Sequence, residues 1–503
     1  LSHFEKLELD GNVTLTAAQL AAFSVVAGIA PSYYTLIAAS AGTYDLSGKT
    51  VTYPINLSGS SGNDVLIGGA TTVEMWGNQG DDTISAGSAT GNVTLYSGSG
   101  TNIMTGGAGN DTIYMQGTAD QANGGTGNDL IIFTGINGAS VDGGDGVDTF
   151  RAVSGNITGI TFNSVETLEL DTSYVTLTAS QLSGFSAVMG AGAAIFTLTA
   201  AAAGTYDLSS KTVSYPINLN GSAGDDVLIG GTTTREMWGN QGNDTISAGS
   251  ATGNVAIYGG SGTNIMTGGA GNDTIYMQGT ADQANGGAGN DLIIQAGVTG
   301  AAIVNGGDGT DTFRVTGNIS SFTFSNMEVL EMDSMYVDLG ASQLAAFSTI
   351  NGWGYLTATV AGTYDLSAKS MYAWINLNGS SGDDVLIGGT TTRELWGGQG
   401  NDTLNVGNSN QNVLITGGDG IDTVSYSMAS VGVKINLSDS SQSLGGVSVS
   451  AERAVNAYGG TDTILTTENA IGTAYNDYIY GSASANVLTG GDGDDVLIGG
   501  SGA

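Results

Sequence analysis

Short apolar stretches recur along the chain at nine-residue intervals, separated by turns rich in glycine and aspartate. From Gly59 the first series reads GSSGNDVLI, GGATTVEMW and GNQGDDTIS, and it continues to Arg151. Such a unit is too short for a helical repeat and fits a brief strand with one inward side chain. The apolar eighth-place residues are therefore predicted to stack into a thin continuous core. They are Leu66, Met75, Ile84, Met104, Ile113, Ile131 and Phe150.

A longer repeat contains these series. The block from Thr43 to Ser85 recurs from Thr205 and, more loosely, from Thr363, so the chain holds three copies of a unit of about 160 residues. Near-identical copies favour a repetitive structural role over a single active site. The predicted units are 1–162, 163–324 and 325–425, with nonapeptide series at 59–151, 221–314 and 379–425. A strand-rich insertion is predicted at 426–471, and a terminal series at 472–503.

The segments between the series lack the Gly–Asp turns. Stretches such as VETLELDTSYVTLTASQL and AGTYDLSSKTVSYPINL keep short strands rich in Thr, Val and Leu at similar intervals. We expect them to continue the same stack of strands.

Composition and charge narrow the possible partners. Glycine supplies 84 of 503 residues and proline only 3, and 46 acidic against 10 basic residues give a net charge of −36. Such a chain repels nucleic acid and anionic lipid and attracts cations. The absence of cysteine and the presence of one histidine exclude disulfides, thiolate sites and two-histidine zinc sites. No apolar stretch has the length of a membrane span.

The nonapeptides GGAGNDTIY, GGTGNDLII, GGDGTDTFR and GGDGDDVLI resemble the RTX family, whose repeat is GGxGxDxUx. About half of the chain resembles the family directly. The resemblance implies an all-β fold, a right-handed parallel β-solenoid or β-roll that winds around calcium ions. The family's secretion through a type I system would then place the chain outside the cell.

In such a roll, sixth-place Asp residues eighteen positions apart stack on the same side. Six pairs have this spacing, and three more have nineteen or twenty, so nine pairs are predicted to hold about ten calcium ions with loop carbonyl groups. A turn preference of Asp beside Gly is the alternative, but it does not explain the fixed sixth place. The predicted metal ligands are Asp64, Asp82, Asp111, Asp129, Asp148, Asp226, Asp244, Asp273, Asp291, Asp311, Asp384, Asp402, Asp422, Asp477 and Asp495.

We call each nonapeptide, with its loop and strand, a rung of the solenoid. Two kinds of rung are expected to lack calcium. Asn102 with Asp120, and Asn264 with Asp282, keep the spacing but replace one carboxylate. GGATTVEMW and GGTTTREMW have no Asp at the sixth place. Because ligand charge sets calcium affinity, we expect these rungs to be calcium-free turns.

The ninth-place residues Trp76, Trp238 and Trp396 are predicted to face outward, since side chains alternate along a strand. They either pack against their own unit or form a repeated contact with glycan or another subunit. Tyr33–Tyr34 and Trp353–Tyr355 lie in matching segments between the series and are a second candidate patch.

We interpret the sequence as a non-catalytic, calcium-stabilised structural segment of a secreted bacterial surface protein, a surface-layer subunit or an adhesin-like fibre. The alternative is the C-terminal accessory region of a secreted RTX protease, lipase or alginate epimerase, and a third is a glycan-binding module. Calcium is the expected partner, with self-assembly or cell-surface glycan next, and neither nucleic acid nor membrane insertion is expected. The end at GGSGA indicates that the sequence is part of a longer protein.

Overall fold

Short parallel strands joined by glycine-rich loops build almost the whole structure, a computed structural model that describes residues 4–134, 138–192, 194–298 and 300–502. The chain divides into two units, Leu1–Val255 and Ala256–Ala503. Each unit is a parallel β-solenoid with few helices, which confirms the predicted all-β fold class.

In the first unit the helices are Ala17–Ala21 (α1) and Ala179–Gly184 (α2). Its strands, β1 to β28 in chain order, are Lys6–Leu9, Val13–Leu15, Val25–Gly28, Tyr34–Ala38, Thr43–Asp45, Thr50–Val51, Ile55–Ser58, Val65–Ile67, Glu74–Trp76, Thr83–Ser85, Thr94–Tyr96, Ile103–Ala108, Thr112–Met115, Gln121–Thr126, Leu130–Phe133, Ser140–Asp145, Thr149–Ala152, Thr161–Asn163, Thr167–Leu170, Tyr174–Leu177, Ala187–Gly190, Phe196–Ala200, Thr205–Asp207, Thr212–Val213, Ile217–Asn220, Val227–Ile229, Glu236–Trp238 and Thr245–Ser247.

In the second unit the helix is Ala341–Ala345 (α3). Its strands, β29 to β57 in chain order, are Ala256–Tyr258, Ile265–Ala270, Thr274–Met277, Gln283–Ala288, Leu292–Gln295, Ile303–Asp308, Thr312–Val315, Thr323–Ser325, Val329–Met332, Tyr336–Leu339, Thr349–Asn351, Gly354–Ala358, Thr363–Asp365, Ser370–Met371, Ile375–Asn378, Val385–Ile387, Glu394–Gln399, Thr403–Asn405, Leu414–Asp419, Thr423–Ser425, Lys434–Asn436, Gln442–Leu444, Val447–Val449, Arg453–Val455, Thr461–Leu465, Asn469–Ile471, Tyr478–Tyr480, Leu488–Thr489 and Val496–Ile498.

Alternate strands of a roll join two different sheets. In the first unit, β5, β8, β10, β12, β14, β16 and β18 form one sheet, and β7, β9, β11, β13, β15 and β17 belong to the other. Ile113 pairs with Ile131 and Ile131 with Phe150, so residues at the same place of the nonapeptide stack along the solenoid. The predicted eighth-place core residues are all at most 1% exposed. They form two columns, one on each sheet, rather than the single column that the sequence suggested, because successive nonapeptides alternate between sheets.

The segments between the rolls continue the stack, as predicted, but each also contains one short helix. In α1, Thr16 and Gln19 form a capping box, and Thr178 and Gln181 do the same in α2. This reciprocal capping explains why a single helical turn interrupts a strand-rich segment. Across the described residues, no helix is long and apolar enough to cross a bilayer.

Antiparallel pairs appear within the predicted insertion at 426–471. β49 and β53 both pair antiparallel with β52, and β50 and β51 form a hairpin. The hairpin turn contains Gly445 and Gly446, whose φ values of 54° and 77° favour glycine. Parallel stacking resumes where β48 pairs with β54. The boundaries of the three sequence repeats stay a prediction.

Candidate calcium sites

Each of the nine predicted aspartate pairs is stacked by the same hydrogen bond. The backbone N–H of the first Asp donates to Oδ1 of the second over 2.7–2.9 Å. The stretched pairs Asp129–Asp148, Asp291–Asp311 and Asp402–Asp422 keep this contact, at 2.7–2.8 Å. The extra residues therefore lie elsewhere in the same turn of the solenoid and do not shift the two carboxylates out of register.

The second carboxylate oxygen, Oδ2, is buried and has no hydrogen-bond partner in the described part of the chain at eight of the predicted ligands. These residues are at most 2% exposed. They are Asp82, Asp111, Asp129, Asp148, Asp291, Asp311, Asp402 and Asp422. A buried charged oxygen without a partner costs several kcal/mol, on the order of the penalty for an uncompensated ion. A cation bound beside each of these oxygens would offset this cost.

Burial disfavours the charged form of these carboxylates. It raises the pKa of Asp111 from its ordinary value of 3.8 to about 6, against the opposing backbone hydrogen bond from Val93, and the nearby charge of Asp129 adds to the rise. Burial raises the pKa of Asp82, Asp129, Asp244 and Asp402 to about 6 in the same way. The pKa values of four others are raised for the same first reason. They are Asp148, Asp291, Asp311 and Asp422.

Glycine keeps open the space in front of each Oδ2 atom. A Cβ atom added to Gly106, the first residue of its loop, would overlap both with Oδ2 of Asp111 and with the carbonyl oxygen of Gly124 in the next loop. Gly107 and Gly109, at the second and fourth places, have φ values of 112° and 119°. These left-handed conformations favour glycine. Carboxylate and carbonyl oxygens thus face the same narrow space.

The donor set fits calcium. No group of three His, Cys, Asp or Glu side chains that could hold a metal occurs among the described residues, so an ion would rely on carboxylates of stacked loops together with backbone carbonyl oxygens. Calcium accepts six to eight oxygen ligands in flexible geometry, including backbone carbonyls and water. Magnesium demands a small octahedron and releases its waters reluctantly.

Four other predicted ligands lie in loops that we call closed, because hydrogen bonds from the same loop hold their Oδ2 atoms. The loops of the eight carboxylates with an unpartnered Oδ2 are called open. Ser60 donates both its backbone N–H (2.6 Å) and its hydroxyl (2.8 Å) to Oδ2 of Asp64. Ser222 does the same for Asp226, Ser380 for Asp384 and Thr473 for Asp477. Each donor is the second residue of its loop, where the open loops have a left-handed residue, Gly or Asn78. The second place therefore distinguishes closed carboxylates from open ones.

Carboxylates of the rungs expected to lack calcium are also closed. Asp120 accepts the backbone N–H and the Nδ2 group of Asn102 at Oδ1 and the N–H of Gly117 at Oδ2, each over 2.9 Å. Asp282 is held equivalently by Asn264 and Gly279. Both oxygens of these two carboxylates thus accept hydrogen bonds from the protein, and the absence of calcium from these turns stays a prediction.

Four acidic residues that accept backbone N–H groups in the same way as the stacked aspartates were not predicted from the sequence. The N–H of Asp148 donates to Oε2 of Glu166 (2.9 Å), and Glu328 and Glu468 accept equivalent bonds. The search for Asp at the sixth place overlooked them, although Glu166 and Glu328 stand in the repeated motifs VETLELD and MEVLEMD. Asp462 was also missed. Its oxygens accept bonds from Val413, Asn456 and the hydroxyl of Tyr426, and no repeat pattern signals it.

Comparison with protein families supports this interpretation. The model described as RTX calcium-binding nonapeptide repeat matches residues 58–89, 76–113, 218–233, 238–275, 278–294, 378–410 and 471–503. The chain carries RTX repeats. These repeats bind calcium, are characteristic of secreted proteins, and usually form structural regions. No curated protein matches the chain. Which individual RTX loops hold calcium stays a prediction.

Outward aromatic side chains follow the RTX rolls, as predicted from the ninth place. The ring of Trp76 stacks on that of Tyr96, with centroids 6.0 Å apart and planes inclined by 4°, and Tyr96 stacks on Tyr114. Trp396 is 55% exposed. Packing against a neighbouring rung thus accounts for Trp76, and the exposed ring of Trp396 is available for contact.

The second candidate patch, Tyr33–Tyr34 and Trp353–Tyr355, contains both buried and exposed aromatic side chains. Tyr33 is 67% exposed, whereas Tyr34 is buried and its hydroxyl bonds to the backbone of Ala30. Trp353 is half exposed, and its ring centroid lies 5.5 Å from that of Trp374. Some aromatic side chains of these segments therefore pack against their neighbours, and others are exposed to solvent.

Proposed function

We propose that the chain is a non-catalytic segment of a secreted bacterial cell-surface protein that folds and stiffens when its RTX loops bind calcium outside the cell. The observation that carries the proposal is the set of eight buried Oδ2 atoms without partners in the described structure. Without a cation, the stacked carboxylates repel one another in a low-dielectric environment. With calcium, the same oxygens become ligands.

Repetition supports a surface role. The long unit occurs three times, and the open loops, the closed loops and the outward tryptophans recur with it. A segment that only assists the folding of an attached enzyme needs few rungs, whereas a fibre or surface layer benefits from length. We therefore favour a surface-layer subunit or an adhesin-like fibre over the accessory region of a secreted enzyme, with export by a type I system.

The outward tryptophans supply a test of the surface role. In the variant W76S/W238S/W396S, we expect calcium-dependent folding to persist, because these side chains lie outside the core columns. Ordered assembly, or reattachment to cells that lack the protein, should weaken, since aromatic anchors at interfaces often contribute more than about 2 kcal/mol each. Electron microscopy of the calcium-loaded protein and a cell-binding assay measure this.

Two results would oppose the surface role. Unchanged assembly of the variant would remove the tryptophans from the proposed contact. A catalytic domain encoded next to this segment would favour the enzyme-accessory alternative.

A further inference from the structure

Loops on the same side of a roll stack into a column, and three columns that contain open loops end on a glutamate in place of the next aspartate. Thr149 pairs with Thr167, so Glu166 precedes its strand as Asp148 precedes the strand before it. The N–H of Asp148 donates to Oε2 of Glu166 as the N–H of Asp129 donates to Oδ1 of Asp148. The glutamate thus occupies the sixth place of a loop that does not follow the nonapeptide pattern.

The same contact recurs twice from different chain segments. Asp311 donates its N–H to Glu328, and Asp422 to Glu468, both over 2.8 Å. The sequence separations are 18, 17 and 46 residues, because the third glutamate follows the insertion. A contact that is retained at separations of both 17 and 46 residues does not follow from the repeat spacing alone.

The loops that bring these glutamates back are short. In the first, Ser164 has a left-handed φ of 48°, and Glu166 follows two residues later. Asn326 and Thr466 have φ values of 49° and 48° at the equivalent positions. Non-glycine residues adopt this conformation at some cost. A three-residue turn replaces the six-residue loop, and the longer glutamate side chain covers the remaining distance.

An unpartnered oxygen points into each of these column ends. Asp148, Asp311 and Asp422 are 0% exposed, and their Oδ2 atoms have no hydrogen-bond partner in the described structure. A Cβ atom added to Gly143 would overlap both with Oδ2 of Asp148 and with the carbonyl oxygen of Ser164. The equivalent overlaps occur at Gly306 and Gly417. Carboxylate and carbonyl oxygens therefore face a common space here, as in the regular loops.

We propose that Glu166, Glu328 and Glu468 each complete a terminal calcium site with Asp148, Asp311 and Asp422, respectively. The inference rests on the proposed calcium-dependent function and extends it to a loop without the nonapeptide motif. Because a short turn offers fewer carbonyl groups and the glutamate is partly exposed, water completes the coordination. Calcium tolerates such mixed ligation.

The chain contains a matched control. Glu5 holds the same place in FEKLELD as Glu166 in VETLELD, and the backbone carbonyl groups of both accept an equivalent N–H, from Ser24 and Ser186. In the 503-residue chain used for the test, residues 1–4 contain no glycine–aspartate loop. E5Q therefore changes the same residue of the repeat without changing a column end.

The experiment counts bound calcium by equilibrium dialysis and elemental analysis of the full 503-residue chain. We expect E166Q/E328Q/E468Q to bind three ions fewer than the parent at a calcium concentration that saturates the parent, with each single variant losing one and E5Q losing none. Glutamine keeps an oxygen acceptor for the N–H of the preceding aspartate. The single variants decide the matter if the triple variant does not fold.

Two outcomes would overturn the inference. One is an unchanged ion count in the three single variants while D129N still loses ions, which would leave the proposed function intact. The other is a loss of thermal stability in E166Q that does not depend on calcium concentration, which would indicate a structural role alone. A parent chain that binds no calcium would instead reject both the inference and the proposed function.

Discussion

Asp129 and Asp120 lie in loop columns on opposite sides of the first roll, and we predict opposite roles for them. Oδ1 of Asp129 accepts the N–H of Asp111 (2.7 Å), its own N–H donates to Asp148 (2.8 Å), and its Oδ2 is buried without a partner in the described chain. Both oxygens of Asp120 are held by hydrogen bonds. Substitution by asparagine keeps the size of either side chain and removes its charge.

In the proposed assignment Asp129 lies between two sites, so we expect D129N to lose two ions and D120N none. At a free calcium concentration ten times the dissociation constant, each site contributes about 1.4 kcal/mol, so two sites contribute about 3 kcal/mol. D120N weakens charge-assisted hydrogen bonds, at a cost of about 1–3 kcal/mol that does not depend on calcium. Both variants are thus destabilised, and the calcium dependence separates them.

The assay is the thermal unfolding midpoint measured across a series of free calcium concentrations. Its slope against the logarithm of calcium concentration reports the ions taken up on folding. D129N should reduce this slope by the equivalent of two ions, and D120N should lower the midpoint with an unchanged slope. Equal slopes for the two variants, or a smaller slope for D120N, would refute the assignment of open and closed carboxylates.

Two further predictions follow from the loop geometry and the pKa shifts. Ser60→Gly removes the hydroxyl donor and permits a left-handed second place, so Asp64 should become an open ligand and equilibrium dialysis should find one more ion; an unchanged count would show that the second place does not control the site. The pKa of Asp111 is about 6 in the fold and 3.8 ordinarily, so protonation stabilises the calcium-free fold at low pH, and this stabilisation is lost as pH rises through 6. In chelator, circular dichroism should therefore show more β structure at pH 5 than at pH 7.5. Equal β structure at the two pH values, or less at pH 5, would contradict the burial of these carboxylates.

Much of the fold was predictable because the nonapeptide is a local pattern with a direct geometric meaning. The fixed places of Gly, Asp and the apolar residue determine a loop, a ligand and a core side chain, and the buried columns of Ile113 and Ile131 follow from them. The helix α1 was not predicted, since its capping box at Thr16 and Gln19 lies in a segment that otherwise has strand composition.

The candidate sites were predictable only in part. Spacing alone placed Asp64 and Asp82 in one class, yet a serine at the second place closes the first carboxylate, and this depends on a backbone conformation rather than on spacing. Glu166 was missed for the opposite reason. Its loop has lost the nonapeptide pattern, and only the strand register shows that it takes the position of an aspartate.

In the proposed function, calcium converts buried, repelling carboxylates into ligands and so folds the chain. The decisive experiment is a titration with calcium from excess chelator to the millimolar range, followed by far-ultraviolet circular dichroism and by the count of bound ions in the same samples. We expect little ordered β structure in chelator and a cooperative gain of β signal as several ions bind. A β spectrum that is identical in chelator and in calcium, with no ions bound, would contradict it.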